Sequence, residues 1–112
     1  MAEVSIISPE DAKAKIDAGD AATIDVRLPY TWAGDRIQGS INLPNLSIQF
    51  RQAEVPADKE LIFYGPNTAK AEAAAKKAIE LGYEKVAVID GGFNAWVDAG
   101  LPSESITGTA AT

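Results

Sequence analysis

Two four-residue stretches, Leu61-Ile62-Phe63-Tyr64 and Val86-Ala87-Val88-Ile89, contain no charged or strongly polar side chain. Short unbroken apolar runs of this kind mark strands covered on both faces, as in a parallel sheet. Val4-Ser5-Ile6-Ile7, Ala22 to Val26 and Gly39 to Leu43 read as three further short strands, the last stopped by Pro44.

Helical patterns lie between the strands. Ser8 is placed to cap a helix, Pro9 suits its first position, and Glu10 and Asp11 favour its positive end. Ala12, Ile16 and Ala18 give it an apolar face before Gly19 ends it. Pro29 to Gly34 fits about one helical turn, and Leu46 to Gln52 a second short helix before a polar turn at Pro56-Ala57-Asp58-Lys59. The strongest helix runs from Thr68 to Leu81, with Ala71, Ala74, Ala75, Ala78 and Ile79 at helical spacing and Gly82 as its stop. Gly91-Gly92 makes a tight turn into a last helix, Phe93 to Ala99, closed by Gly100. Strand and helix alternate, which predicts one α/β domain: a mostly parallel five-stranded sheet flanked by helices on both faces. The domain is expected over residues 1–102, with 103–112, small and polar, as a frayed, flexible C-terminal tail.

Composition narrows the function. The 112 residues suit a single domain that buries roughly two-thirds of the surface of its unfolded chain. A formal charge of −6 repels phosphate backbones and anionic lipid, so neither nucleic acid nor a membrane surface is expected as partner. Met1-Ala2-Glu3 is not basic and leads into no long apolar run, and no stretch nears the ~20 apolar residues of a span. A cytoplasmic location is the expectation. The chain has no cysteine and no histidine, which removes thiol and imidazole chemistry, disulfides and zinc–thiolate sites; no metal or cofactor is expected.

In open parallel sheets, ligands collect where strands pass into helices at their carboxyl ends. Tyr64-Gly65-Pro66-Asn67-Thr68-Ala69-Lys70 is the most conspicuous such junction. It joins the most apolar strand to the best helix, whose first N–H groups suit an anion. Lys70 sits in the first helical turn, where the helix dipole disfavours a cation, and a broken local rule is where function is sought.

From Ser8 to Pro102 the chain resembles a single-domain rhodanese. The likeness rests on Ile24-Asp25-Val26-Arg27, Ile37-Gln38-Gly39-Ser40-Ile41-Asn42-Leu43-Pro44, the Leu61 to Lys70 junction, Leu81-Gly82-Tyr83, Gly91-Gly92-Phe93-Asn94-Ala95-Trp96 and Ala99-Gly100-Leu101-Pro102, in that order. The resemblance implies a sulfurtransferase fold whose catalytic cysteine follows the central strand, with backbone N–H groups of a six-residue loop cradling its thiolate and persulfide. A helix N-terminus and a nearby cation make such a thiolate the better nucleophile near neutral pH. The cysteine position is Gly65 here and the loop arginine position is Lys70; Thr68 stands for the usual interior glycine, and Pro66 removes one N–H donor. Arg36 replaces a common histidine, and Leu28 replaces the acid that often follows Asp-Val-Arg. Asp25 and Arg27 match the family's framework pair. Trp32, Trp96, Tyr30 and Tyr64 are read as packing residues.

The chain is therefore expected to be a catalytically silent rhodanese-like domain that binds a protein partner or a small oxyanion. The binding residues would be Gly65, Pro66, Asn67, Thr68, Ala69 and Lys70, with Arg36. The alternative is a sulfurtransferase, moving sulfur from thiosulfate or a persulfide, whose cysteine has been replaced at Gly65.

Overall fold

A computed structural model describes residues 3–105. Its elements in order are β1 (Val4–Ile7), α1 (Pro9–Asp17), β2 (Ala21–Asp25), α2 (Pro29–Gly34), β3 (Arg36–Ile37) and β4 (Ile41–Asn42). Two 3-10 turns follow, Ser47–Phe50 and Gln52–Glu54, then β5 (Glu60–Tyr64), α3 (Thr68–Glu80), β6 (Val86–Ile89), α4 (Gly92–Asp98) and β7 (Ser103–Glu104). The main sheet has five strands in the order β1-β6-β5-β2-β4, and each of its pairings is parallel.

Period-two alternation along the central strands divides the core into two layers. Leu61, Phe63, Val86, Val88 and Ile24 meet Ala71, Ala74, Ala75 and Ala78 of α3 on one face. Ile62, Tyr64, Ala87 and Ile89 meet Ala12 of α1 and Phe93 and Trp96 of α4 on the other. The alanine stripe of α3 lets that helix lie close to the sheet, and its residues there are essentially without solvent exposure. Helices thus cover both faces, as the alternation of elements predicts.

Three segments differ from expectation. The strand expected over residues 39–43 narrows to Ile41–Asn42, because Gly39 turns through a positive φ just before it. The helix expected from Leu46 to Gln52 is two short 3-10 turns, with only Ile48 of the first turned into the core. Ser103 and Glu104, placed in the tail by their composition, instead pair antiparallel with Arg36 and Ile37. Residues 106–112 of that expected tail lie outside the described residues.

One buried tyrosine ties this small second sheet to the large one. Tyr64, at the end of β5, accepts from the Ile37 N–H (3.1 Å) and donates to Ser40 Oγ (3.1 Å). Trp32 Nε1 donates to the same Ser40 oxygen at 3.0 Å. Tyr64 has no solvent exposure, and burial, then the negative charge of Asp25, holds its pKa well above the ordinary tyrosine value.

Tyr64→Phe should cost about 1–3 kcal/mol in urea unfolding at pH 7, since it leaves the buried Ile37 N–H without its acceptor. The pH dependence has a defined sign. Above about pH 10 the unfolded state sheds the tyrosine proton while the folded state keeps it. The native chain should therefore lose about 1.4 kcal/mol per pH unit through this group as the pH rises beyond that point. Unfolding curves between pH 8 and 11 should show a shallower alkaline decline for Tyr64→Phe.

Candidate functional site

The chain leaves β2 toward β4 on one side of the sheet and leaves β5 toward β6 on the other. The crevice between the carboxyl ends of β2 and β5 is thus the topological switch point, where such sheets bind ligands. Val26 and Gly65 face each other across it. The Val26 N–H donates to the Tyr64 carbonyl at 3.0 Å, closing the two strand ends together. A Cβ placed on Gly65 would lie 2.8 Å from Val26 Cγ2, with the Ala71 N and Lys70 Cβ each 3.7 Å away. The volume a side chain would enter at residue 65 is therefore already shared with Val26.

The loop from Gly65 to Lys70 is seated on the turn between β6 and α4. The Gly65 carbonyl accepts from the Phe93 N–H at 3.0 Å. Thr68 Oγ1 accepts from the Gly91 N–H at 2.8 Å and donates to Asp90 Oδ1 at 3.2 Å. Asn67 caps α3, its Oδ1 accepting from the Lys70 N–H at 2.9 Å. Gly92 makes this seat possible. Its φ is +67°, and a Cβ there would stand 2.4 Å from the Gly65 carbonyl oxygen and 3.1 Å from the Asn67 N. Only glycine satisfies both the left-handed backbone and the close approach.

The Asp25–Arg27 pair braces the crevice from beneath. Asp25 has no solvent exposure, and Arg27 meets it side-on, Nε at 3.0 and 3.1 Å and Nη2 at 2.7 Å. Asp25 Oδ1 also accepts the Arg27 backbone N–H at 2.8 Å. The guanidinium lies 4.4 Å from the Phe93 ring centroid and 5.5 Å from that of Tyr64. Burial alone would lower the Arg27 pKa; the hydrogen bonds and charge of Asp25 outweigh it, and the pKa is raised. Arg27 Nη2 further donates to the Asp35 carbonyl at 2.6 Å, holding the end of α2. Asn42 Nδ2 donates to the Asp25 and Arg27 carbonyls, binding the β4 end to the same corner.

These contacts sort the residues picked from the sequence. Gly65 through Lys70 form one loop at the switch point, with Pro66, Asn67, Ala69 and Lys70 exposed and Gly65 buried. Arg36 does not join them: its Nε is paired with Glu104 at 3.0 Å and its guanidinium lies 4.3 Å from the Trp32 ring centroid. Among the described residues no hydrogen bond or ion pair links Arg36 to the loop. Trp96 is buried and donates to the Pro102 carbonyl, whereas Tyr30 and Leu28 are exposed. Asp90 was not singled out from the sequence, and Val26 and Gly92 were read there only as strand, turn and motif residues. The Gly91-Gly92 pair was a visible turn signal, but its contact with Gly65 crosses too much sequence to be read.

The cradle that remains is reduced. Pro66 offers no N–H and the Lys70 N–H is spent on Asn67, which leaves the Asn67, Thr68 and Ala69 N–H groups and the Lys70 ammonium. Among the described residues no group of three or more Asp or Glu side chains is placed to hold a metal ion. Gly92→Ala should destabilise the fold by about 3–5 kcal/mol, combining backbone strain with overlap against the Gly65 carbonyl. Chemical denaturation would measure this, and a cost below about 1 kcal/mol would mean that the loop does not sit on Gly92.

Comparison with known proteins agrees with this geometry. Residues 8–99 match the family model of the rhodanese-like domain. The chain is 34% identical over 110 residues to a thiosulfate sulfurtransferase GlpE of Pseudomonas fluorescens, covering 96% of this chain and 97% of that protein. A rhodanese-related protein from Thermoplasma volcanium superposes with a TM-score of 0.78 at 26% identity, over 90% of this chain and 97% of its own. The rhodanese-like domain of an Anabaena protein shares the fold with a TM-score of 0.80 at 22% identity, over 97% and 84% of the two chains. With its single α/β domain, its Asp25–Arg27 brace and its strand-end loop, the chain belongs to the rhodanese-like domain family.

Proposed function

We propose that this domain transfers no sulfur by itself and acts by binding a protein partner at the loop from Gly65 to Lys70. The observation that carries the reading is Gly65 itself. The position that ends the central strand bears no nucleophile, no cysteine exists elsewhere in the chain, and Val26 Cγ2 crowds the space a side chain would use. Losing the nucleophile of a covalent enzyme costs on the order of a million-fold in turnover. Thr68 is no replacement, since its hydroxyl is engaged by Asp90 and Gly91 and no histidine is available as base.

The geometry favours a protein over a small oxyanion as the bound species. An anion at the loop would rely on Lys70 with three N–H groups, because Arg36 is committed to Glu104. Exposed apolar side chains, Leu28, Tyr30, Leu46 and Phe50, are carried instead by the two segments that Asn45 and Asn42 hold to the end of β2. Such side chains suit a protein surface and contribute nothing to holding a sulfate-sized ion.

A second reading is a sulfurtransferase whose cysteine has been replaced. It draws on the intact Asp25–Arg27 brace and on the thiosulfate sulfurtransferase relatives. Measuring thiocyanate formed from thiosulfate and cyanide separates the two. The chain itself should give no rate above the uncatalysed reaction, and a clear rate would sink the silent-domain reading. Gly65→Cys should be assayed alone and with Val26→Ala, which relieves the 2.8 Å contact. Sulfur transfer by either variant would favour the second reading by showing a preserved cradle. Inactivity of both, with folding intact by circular dichroism, would show that the loop has diverged along with the nucleophile.

A further inference from the structure

The main sheet ends on two edges of different character. On one side β4 is only two residues long, and shortness is one way a sheet blunts an edge against pairing. On the other side β1 runs for four residues, Val4-Ser5-Ile6-Ile7, with no proline, no charged residue and an unbroken register against β6. The Asp90 N–H donates to the Ile7 carbonyl at 2.8 Å, so Ile7 and, by alternation, Ser5 turn their backbone groups toward β6. Val4 and Ile6 turn theirs away from the sheet, and no hydrogen bond from the described residues reaches them there. Such a row of open donors and acceptors is a template for another strand.

The side chains of Val4 and Ile6 share the sheet face covered by α3, because Val4 packs with the core layer beneath that helix. They differ in cover. Val4 is half-buried and, with Ile79, supplies the apolar lining of a cavity of about 430 Å³ between β1 and α3. Glu3, Glu72 and Lys76 are its charged residues. Ile6, two positions further along the strand, is 51% exposed. A knob and a hollow two residues apart on one edge are matched by a two-fold antiparallel pairing. In such a ladder the outward-turned residues face each other. One register gives both of them a partner: Val4 against Ile6 of a second copy and Ile6 against its Val4, with Ser5 on the axis. Residues directly opposite project on the same face, so each Ile6 reaches the hollow beside Val4 of the other copy.

We propose that β1 is the interface of a homodimer, in which two copies pair antiparallel along this edge and join their sheets into one. A second copy fits better than a foreign strand because the chain itself carries both halves of the match. The exposed Ile6 and the hollow at Val4 stand at the spacing that a two-fold axis through Ser5 requires. Each copy has a formal charge of −6, so charge opposes the pairing, which rests on backbone bonds and apolar contact. The contact of a four-residue strand falls below the ~800 Å² per partner of a standard interface, and the dimer is weak and reversible. The loop from Gly65 to Lys70 stays open, since it follows β5, with β6 between that strand and β1. Antiparallel pairing points the two loops to opposite ends of the joined sheet. The proposal is independent of what that loop binds or transfers.

Sedimentation equilibrium from about 10 μM to 1 mM tests it, with the average mass rising from the 11.8 kDa of the monomer toward twice that value. Raising the salt from about 50 to 500 mM should tighten the dimer, because it screens the repulsion between copies. Ile6→Lys should weaken association by about tenfold or more, although it lowers the net negative charge of each copy. A second variant reads the register directly. The chain has no cysteine, so Ser5→Cys introduces a single exposed thiol. On the axis it forms a non-hydrogen-bonded pair with its mate, Cα atoms about 4.5 Å apart and within disulfide reach. In a glutathione redox buffer it should cross-link about tenfold faster than Tyr30→Cys, a thiol at an exposed position of α2, and Ile6→Lys should remove the difference. A monomer throughout the range would overturn the proposal. So would a dimer indifferent to Ile6→Lys, one that salt dissociates, or equal cross-linking of the two thiols.

Discussion

The ion pair of Asp25 and Arg27 is the contact on which the carboxyl end of this sheet depends. Taking a carboxylate and a guanidinium out of water costs several kcal/mol per ion, and only near-complete compensation makes the arrangement tenable. Here the compensation is visible. Both carboxylate oxygens are engaged by Arg27, the backbone N–H of Arg27 adds a third direction of support, and the guanidinium lies against the Phe93 ring. Its Nη2 also donates to the Asp35 carbonyl at the end of α2. One pair thereby joins β2, α2, β5 through Tyr64, and α4 through Phe93. Removing either partner would strand a buried charge, at about 3–5 kcal/mol.

Stability therefore protects the frame of the site and not its chemistry. Asp25, Arg27, Tyr64 and Gly92 each sit where a change breaks a buried bond or forces two backbones together. Gly65 does not. Its carbonyl is held by the Phe93 N–H, a bond that any residue at position 65 would make. A fold can lose a nucleophile at such a place and keep everything around it. This is why the architecture and the Asp25–Arg27 brace match a sulfurtransferase family while the reactive group is missing.

What the sequence made legible follows the same division. Leu61–Tyr64 and Val86–Ile89 were readable because a strand covered on both faces leaves an unbroken apolar run, and α3 because its alanines recur on one face. The residues of the loop were readable as a group because they are contiguous. Arg36 was misplaced because its partner, Glu104, lies 68 residues away and belongs to a strand two residues long. The Leu46–Gln52 segment was misread for a different reason. Its large apolar residues, Leu46, Ile48 and Phe50, alternate and do not recur at helical spacing, and only Ile48 is fully buried, so a full helical turn has one anchor to hold it against the sheet. Gly92 was recognised as a turn residue, but its tight approach to Gly65 exists only once β5 and β6 are side by side.

An apolar rim around a catalytic crevice ordinarily excludes water and strengthens the electrostatics inside. With Gly65 at the centre there is no charged nucleophile to benefit, so the rim at Tyr30 and Phe50 retains only its other physical consequence, the tendency to be covered. Ordering exposed aromatics against a partner costs little side-chain entropy compared with ordering lysines or glutamates. Contact at these side chains would leave the brace untouched, because Asp25 has no solvent exposure and Arg27 is held by its bonds to Asp25.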